Sequence, residues 1–362
     1  MIFLIICFLL NGNIFSQENS NSSFPEVSIA GTQLRHVHSD INNEDYDLYI
    51  NLPADYNDTI KAFPVIYLID AQWDFPLVSA LYGEQYYDGF MPSSVVVGIT
   101  WSGNNPNYDS LRARDFTPTT MNQKARFGNA SNFLKSIKDE VIPFVEKNYK
   151  VSANRTLMGS SYGGLFTLYS LFNATDLFNQ YILTSPALTF DNGVINKFEK
   201  EYAAKNSRLP VRVYIAYGAY ENVAEFQNFI DKLKGMNFEG LKLQSNAVEG
   251  MGHSGTKAEG YSRGLQFAFS PSSLTLSNDI LNQYSGTYQF APNFKIKINV
   301  DDNHLVVIIP GISNITLLAE SEKDFYTKGT FFKAHFEKDA DGKVKGFELV
   351  QYGGKRFMPK VQ

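Results

Sequence analysis

A serine flanked by glycines is the residue of this chain best suited to act as a nucleophile. The run RTLMGSSYGGLF places Ser161 between a short apolar segment, Arg155 to Met158, and an apolar helical pattern from Gly164 to Phe172. A serine at a sharp strand-to-helix turn needs glycine wherever a Cβ would collide with neighbouring backbone, and Gly159 and Gly163 stand at such places. The pattern favours a serine hydrolase over an ordinary Gly/Ser turn.

A nucleophilic serine needs a general base, and the chain has five histidines. Two of them, His36 and His38, precede the first confident strand, and two more, His304 and His335, fall in a β-rich tail. The fifth, His253, lies in the glycine-flanked loop EGMGHSG after an apolar run. The order serine, acid, histidine is that of α/β-hydrolases, so His253 is the predicted base.

The acid that orients this base should follow a strand between the two residues. The continuous β-branched and aromatic run Val211 to Gly218 predicts a buried strand, and Glu221 comes directly after it. A carboxylate there could accept the Nδ1–H of His253 and fix its tautomer. The alternative is a helix-start residue that interacts with the helix dipole, in which case Glu225 or Asp191 would take the role.

Two backbone N–H groups are candidates for stabilising the oxyanion of the reaction. The first is that of Tyr162, at the start of the helix after the serine. The second is that of Gln72, in the loop after the apolar run Pro64 to Ile69. An ordinary strand-to-helix loop would show much the same sequence at Gln72.

The first residues of the chain resemble a targeting segment. Residues 1–16, MIFLIICFLLNGNIFS, are too short to span a bilayer, which takes about 20 residues, and they predict a secretory signal. The alternative is a buried hydrophobic helix. Export to the periplasm or the medium is expected, with no stable membrane insertion after cleavage. Cys7 is the only cysteine, so the mature chain would have no disulfide and no thiolate metal site.

Composition excludes several classes of function. The 362 residues carry a formal net charge of −5, whereas a nucleic-acid partner would favour a basic patch. The sequence contains neither a GxxxxGK[ST] loop nor a GxGxxG turn, so nucleotide chemistry has no support and no cofactor is predicted. His36 and His38 could share a strand face, but no acidic or histidine partners cluster with them in the sequence, and no metal site is predicted.

The pattern along the chain predicts an α/β domain followed by a β domain. Apolar runs alternate with helical patterns, which predicts a mostly parallel sheet covered on both faces, with ligands at the carboxyl ends of the strands. An antiparallel pair should open this domain, which we assign to residues 17–270. From Leu274 the chain changes to short alternating strands with turn residues, so residues 271–362 predict a small antiparallel β domain. The predicted strands are Pro64–Ile69, Ser94–Thr100, Arg155–Met158, Gln180–Thr184, Val211–Tyr217 and Leu241–Val248, and the predicted helices are Ser131–Asn148, Gly164–Phe172, Asn222–Met236 and Thr256–Phe269.

Residues 27–270 resemble the esterase D family, which is related to enterochelin-type siderophore esterases and to bacterial mycolyltransferases. The resemblance rests on RARDFTP, on the helix FGNASNFLKSIKDEVIPFVEKNY, on RTLMGSSYGGLF and on TSPAL. It implies an α/β-hydrolase fold with Ser161, Glu221 and His253 as the triad and with Gln72 and Tyr162 as oxyanion donors.

The same resemblance implies which side chains line the substrate pocket. Arg112 or Arg114 of RARDFTP would do so, with Trp73 beside them; the alternative for the arginines is a structural salt bridge to Asp115. The sequence departs from the family pattern at two places. Ser160 stands where many relatives carry histidine, which would change the pocket wall, and the run after Thr184 lacks the usual Ser-Pro-Ser.

The hypothesis is an exported serine carboxylic-ester hydrolase. Its substrate would be a small-molecule or glycan-linked ester, such as a siderophore lactone or an acyl or feruloyl group on carbohydrate. An acyltransferase of the same fold would share every residue named. A non-catalytic protein that binds glycans or siderophores is the alternative from another class.

Overall fold

An eight-stranded sheet forms the centre of the first part of the chain. The computed structural model describes residues 27–57, 60–121, 127–270, 273–327, 332–351 and 354–361. Strands β1 and β2 are antiparallel to their neighbours, and β3 to β8 run parallel in the order β1-β2-β4-β3-β5-β6-β7-β8. The strands are β1 (Thr32–Ser39), β2 (Glu44–Asn51), β3 (Phe63–Ile69), β4 (Val95–Trp101), β5 (Val151–Ser160), β6 (Gln180–Thr184), β7 (Arg212–Gly218) and β8 (Lys242–Val248).

Helices follow most of these strands and cover both faces of the sheet. The helix predicted at Ser131–Asn148 is present, but a π-helical segment, Ile137–Val141, interrupts it. The helices of this part are α1 (Ala71–Tyr87), α2 (Tyr108–Asp115), α3 (Ala130–Ser136), α4 (Ile142–Asn148), α5 (Tyr162–Asn173), α6 (Phe190–Gly193), α7 (Ile195–Ala203), α8 (Val223–Gly235) and α9 (Thr256–Phe269).

The parallel strands bury both of their faces, as strands covered by helices on both sides must. In β3 the side chains of Tyr67 and Ile69 join one apolar cluster, and those of Ile66 and Leu68 join another. Helix α5 contributes to the first cluster, and helices α1 and α9 contribute to the second. Burial on both faces fixes the strand positions, and it therefore fixes where their carboxyl ends lie.

Helix α1 is the largest element that the sequence pattern does not reveal. Its buried side includes the polar residues Asp74, Ser79 and Gln85, so the apolar residues alone show no helical period. Pro76 lies inside the helix, and a proline in the sequence is usually taken to indicate that no helix continues through it. This helix matters for the site because it begins immediately after β3, at the loop predicted to supply an oxyanion donor.

The remainder of the chain forms a closed antiparallel barrel. Eight strands pair in the order β10-β11-β12-β13-β14-β15-β16-β9, and β9 closes the ring by pairing with β16. A short helix, α10 (Asn278–Tyr284), was not predicted; it adds Leu281 and Tyr284 to the apolar core of the barrel. The strands are β9 (Gly286–Ala291), β10 (Phe294–Asp301), β11 (His304–Ile308), β12 (Ile315–Ala319), β13 (Asp324–Tyr326), β14 (Lys333–Lys338), β15 (Val344–Gln351) and β16 (Gly354–Val361).

The predicted fold class, an α/β-hydrolase with a small antiparallel β domain, is confirmed. The predicted signal segment, residues 1–16, lies outside the described residues. Within the described ranges, none of the helices combines the length and apolarity needed to cross a bilayer.

Glycines bring helix α9 close to the sheet, and replacing one of them should destabilise the fold. A Cβ at Gly264 would lie 2.4 Å from Cγ2 of Ile182, a contact that forces the helix or the strand to move. We expect Gly264→Ala to lower the free energy of unfolding by about 1–3 kcal/mol in urea titrations. Gly235→Ala, at a helical glycine with open space around it, is the control and should be neutral or slightly stabilising. Equal effects of the two substitutions would contradict this account.

Candidate active site

Ser161 stands alone between strand β5 and helix α5, in a strained backbone conformation. Its φ of 58° and ψ of −118° are unfavourable for a residue with a side chain. The neighbouring glycines permit the tight turn: a Cβ at Gly159 would lie 2.5 Å from the carbonyl oxygen of Gly163, and one at Gly164 would lie 2.9 Å from Cα of Pro186. The turn therefore has the nucleophile-elbow geometry that the sequence predicts.

His253 and Glu221, which are 32 residues apart in the chain, are hydrogen-bonded to each other. Nδ1–H of His253 donates to Oε1 of Glu221 over 2.7 Å. Glu221 follows β7 and is 13% exposed, whereas His253 follows β8 and is 51% exposed. With Nδ1 donating to the carboxylate, Nε2 is the ring nitrogen that can accept a proton.

The carboxylate of Glu221 has two further hydrogen-bond donors. Its Oε2 accepts from Oγ of Ser185 over 2.5 Å and from the backbone N–H of Gly218 over 2.7 Å. Burial raises the pKa of Glu221, but the hydrogen bonds from Ser185, Gly218 and His253 outweigh it, and the pKa is lowered below its ordinary value. Glu221 is thus held as a carboxylate that can stabilise a protonated His253.

Sequence reasoning missed the part that Ser185 plays. Ser185 lies in the turn directly after β6, where it has a left-handed φ of 43° and is 1% exposed. From this turn its hydroxyl reaches Glu221. In the sequence, TSPAL is recognisable only as part of a family pattern. A serine directly after a buried strand is the one signal that could have pointed to the site, but its partner becomes visible only when β6 and β7 are paired.

The two alternative acids have other partners. Glu225 accepts from Nδ2 of Asn222 over 3.2 Å, and Asp191 accepts from Oγ1 of Thr119 over 2.6 Å. Of the three candidate carboxylates, Glu221 is therefore the one that the structure brings to His253.

The two predicted oxyanion donors lie in the first turns of helices. Tyr162 is the first residue of α5, and Gln72 is the second residue of α1. N–H groups in a first helical turn generally lack a partner from an earlier turn, which makes both of these groups suitable to face an anion. The Gln72 side chain is also held, because its Oε1 accepts from Oγ1 of Thr100 over 2.8 Å and its Nε2 donates to Asp70.

Both arginines of RARDFTP pair with carboxylates of this chain. Arg114 donates to Asp115 over 2.7 and 2.9 Å and also pairs with Glu44 over 2.8 Å, so the salt bridge considered as its alternative is present. Arg112 pairs instead with Asp70, a partner that the sequence did not suggest. A direct contact of either arginine with substrate stays a prediction.

Two further expectations can be compared with the structure. Trp73 is 47% exposed in the first turn of α1, where it can meet a ligand. Ser160, which stands where many relatives carry histidine, is 1% exposed and lies in the interior. Its effect on the pocket wall stays a prediction. In the described part of the chain, no group of three or more histidine, cysteine, aspartate or glutamate side chains is arranged to hold a metal ion.

The sheet order, the serine elbow and the histidine–carboxylate pair define an α/β-hydrolase. Residues 39–234, more than half of the chain, match the family model Esterase, described as "Putative esterase". The chain therefore belongs to the Esterase family, and it is a carboxylic-ester hydrolase. Residues 271–359 match a second model, "Domain of unknown function (DUF3471)".

Similar proteins of known sequence or structure agree with this membership. The ferri-bacillibactin esterase BesA of Bacillus subtilis is 27% identical over 272 residues, covering 69% of this chain and 93% of the relative. An IroE-like serine hydrolase from Shewanella oneidensis is 25% identical, with a TM-score of 0.59 over 66% of this chain and 80% of that one. The BES protein from Bacillus cereus is 23% identical, with a TM-score of 0.61 over 69% of this chain and 99% of that one, and shows the shared fold.

Removing the Ser185 hydroxyl should destabilise the protein in a pH-dependent way. A hydrogen bond to a charged group contributes about 1.5–3 kcal/mol, so we expect Ser185→Ala to lower the free energy of unfolding by about that amount at pH 7. The lowered pKa of Glu221 stabilises the fold above the unfolded-state pKa of about 4.3, and this stabilisation is lost as the pH falls through the folded-state pKa. The difference between variant and wild type should therefore shrink below about pH 4.

Urea titrations at several pH values would measure this effect. Ser160→Ala is the matched control, because the Ser160 hydroxyl is buried without a hydrogen-bond partner among the described residues. A Ser185→Ala effect that stays constant with pH would show that the hydroxyl does not act on Glu221.

Proposed function

We propose that this protein is a serine hydrolase with Ser161 as nucleophile, His253 as general base and Glu221 as the acid that orients the base, acting on a siderophore ester. The observation that carries the proposal is the 2.7 Å hydrogen bond between His253 and Glu221 at the carboxyl ends of β7 and β8, which lie two and three strands away from β5 and its Ser161 elbow. These three residue types in this order perform acyl transfer in α/β-hydrolases.

The proposed reaction has two steps, the formation of an acyl-enzyme and its hydrolysis. Oγ of Ser161 bonds to the ester carbonyl carbon while Nε2 of His253 takes the hydroxyl proton, and the backbone N–H groups of Gln72 and Tyr162 stabilise the oxyanion. The bond to the alcohol oxygen then breaks, and His253 gives that oxygen the proton. Water then attacks the acyl-enzyme while losing a proton to His253. The bond between the acyl carbon and Oγ of Ser161 breaks, and His253 returns the proton to Oγ, which releases the carboxylic acid and the free serine.

Exposed apolar side chains near the proposed triad support a substrate with aromatic groups. Tyr220, next to Glu221, is 80% exposed, and Met251, two residues before His253, is 40% exposed. The two loops are joined by a 3.0 Å hydrogen bond from Tyr220 N–H to the carbonyl of Met251. Trp73, in the first turn of α1, is a third apolar side chain exposed to a ligand. The relative BesA is named a ferri-bacillibactin esterase, which suggests a siderophore as that ligand.

Hydrolysis is preferred to acyl transfer because His253 is half exposed. A transferase must keep water from its acyl-enzyme, whereas a base with this exposure leaves water free to reach the acyl group. We also propose that the protein is exported, on the strength of the apolar segment in residues 1–16. The N-terminal sequence of the mature protein from the producing cell would test export.

Replacing the proposed nucleophile should abolish both labelling and turnover. We expect the wild type to react with a fluorophosphonate probe and to open a catechol trilactone, and Ser161→Ala to do neither. The expected loss in kcat is about 10⁶-fold, as for a triad serine elsewhere. Probe labelling on gels and mass spectrometry of the lactone products would measure both effects. Ser160→Ala, one residue away, controls for disturbance of the turn.

The outcomes separate the parts of the proposal. Labelling that persists in Ser161→Ala would overturn the assignment of the nucleophile. A wild type that cleaves para-nitrophenyl acetate but leaves the trilactone intact would overturn the siderophore substrate and retain the triad; a feruloylated sugar in the same panel tests the carbohydrate alternative. Products esterified to an added alcohol instead of free acid would show a transferase.

A further inference from the structure

The Arg112 guanidinium is a partly buried group that the proposed reaction does not use. Its side chain is 14% exposed and donates to Asp70 through two nitrogens, Nε to Oδ1 over 3.0 Å and Nη2 to Oδ2 over 2.7 Å. Burial lowers the pKa of Arg112, but the hydrogen bonds and charge of Asp70 outweigh this, and its pKa is raised. A bidentate ion pair of this kind fixes both the distance between its two side chains and their relative orientation.

Asp70 connects this pair to Gln72, one of the two residues proposed to supply an oxyanion donor. It is 1% exposed, precedes α1 directly and has a left-handed φ of 58°. Its Oδ1 also accepts from Nε2 of Gln72 over 3.2 Å, and its carbonyl accepts from the N–H groups of Trp73 and Asp74, each over 3.1 Å. The carboxylate of Asp70 therefore holds the turn that presents the Gln72 N–H.

Arg112 also contacts Tyr162, the residue that carries the other proposed donor. Its guanidinium carbon lies 5.5 Å from the centre of the Tyr162 ring and 5.3 Å from that of the Trp73 ring. The Asp70 carboxylate approaches α5 as well, because a Cβ at Gly163 would lie 3.3 Å from its Oδ2. One ion pair thus contacts the first turns of both helices that supply oxyanion donors.

We infer that Arg112 is a positioning residue of the oxyanion hole, acting through Asp70 on Gln72 and through ring contact on Tyr162. The donors stabilise the transition state only if both N–H groups point at the same oxygen, and α1 and α5 belong to different parts of the chain. The Arg112–Asp70 pair joins their first turns and fixes their spacing. This inference rests on the proposed function, since it assumes that Ser161 is the nucleophile.

Steady-state kinetics distinguish this role from direct substrate binding. Both carboxylate oxygens of Asp70 accept from Arg112, so this carboxylate has its partners without a ligand. A guanidinium that bound substrate would contribute equally to the ground state and the transition state, and its loss would mainly raise KM. A guanidinium that orients oxyanion donors should instead act on kcat.

Steady-state hydrolysis of para-nitrophenyl acetate by four variants tests the inference. Arg112→Gln and Asp70→Asn should each lower kcat about 10- to 100-fold with little change in KM, because small misplacements of donors cost about that much. The double variant should be no slower than the slower single variant, since both act through one pair. Arg112→Lys keeps the positive charge but loses the bidentate geometry of the guanidinium. Its kcat should therefore lie between those of the wild type and Arg112→Gln.

Affinity for an aryl boronic acid provides a second readout. The boronate forms a tetrahedral adduct with Ser161 whose oxygen occupies the oxyanion hole, so its inhibition constant should rise in parallel with the loss in kcat/KM. A purely structural role would leave this affinity unchanged in the fraction of enzyme that remains folded. The double variant has no unpaired buried charge, which keeps the test valid if Arg112→Gln folds poorly.

Arg155→Gln is the matched control. The Arg155 side chain is 16% exposed and pairs with Glu146, but it lies on β5 six residues before Ser161, and its loss should leave kcat unchanged. A rise in KM with unchanged kcat in Arg112→Gln, or additive effects in the double variant, would overturn the inference. Ser161→Ala is measured beside these variants. If Ser161→Ala is inactive, the kcat values of the Arg112 and Asp70 variants test the inference. If Ser161→Ala is active, the proposed function itself is overturned.

Discussion

The close packing of helix α5 against strands β5 and β6 is the constraint on which the site depends. The tight turn at the strained Ser161 requires Gly159 and Gly164, because a Cβ at either position would collide with neighbouring backbone. This packing points the first turn of α5 at the carboxyl edge of the sheet. The strain at one residue is compatible with a stable fold because the surrounding strands are buried on both faces.

The proposed histidine and acid depend on the order of the parallel strands. β7 and β8 are neighbours in the sheet, so the loops that follow them meet, and His253 reaches Glu221 across that junction. β6 lies on the other side of β7, and for that reason Ser185 can add its hydrogen bond to the same carboxylate. Three consecutive strands thus build one polar cluster from residues distant in the sequence.

How much the sequence can reveal depends on whether a feature is local. The Ser161 elbow has a local pattern, and the chain order of serine, acid and histidine narrows the partners, so these residues could be predicted. Helix α1 could not, because polar side chains on its buried face hide the helical period. The Arg112–Asp70 pair joins residues 42 positions apart, and only the assembled fold shows that the arginine meets Asp70 and not Asp115.

The closure of the C-terminal barrel has a consequence for how the two parts of this chain can change over time. Among the described residues each strand of the closed ring pairs with a neighbour on both sides, so this part of the barrel leaves no open strand edge to be completed by another sheet. Such a unit can be gained, lost or exchanged as a module without breaking hydrogen bonds in the hydrolase sheet. The sequence of the barrel can then diverge at a different rate from that of the hydrolase domain.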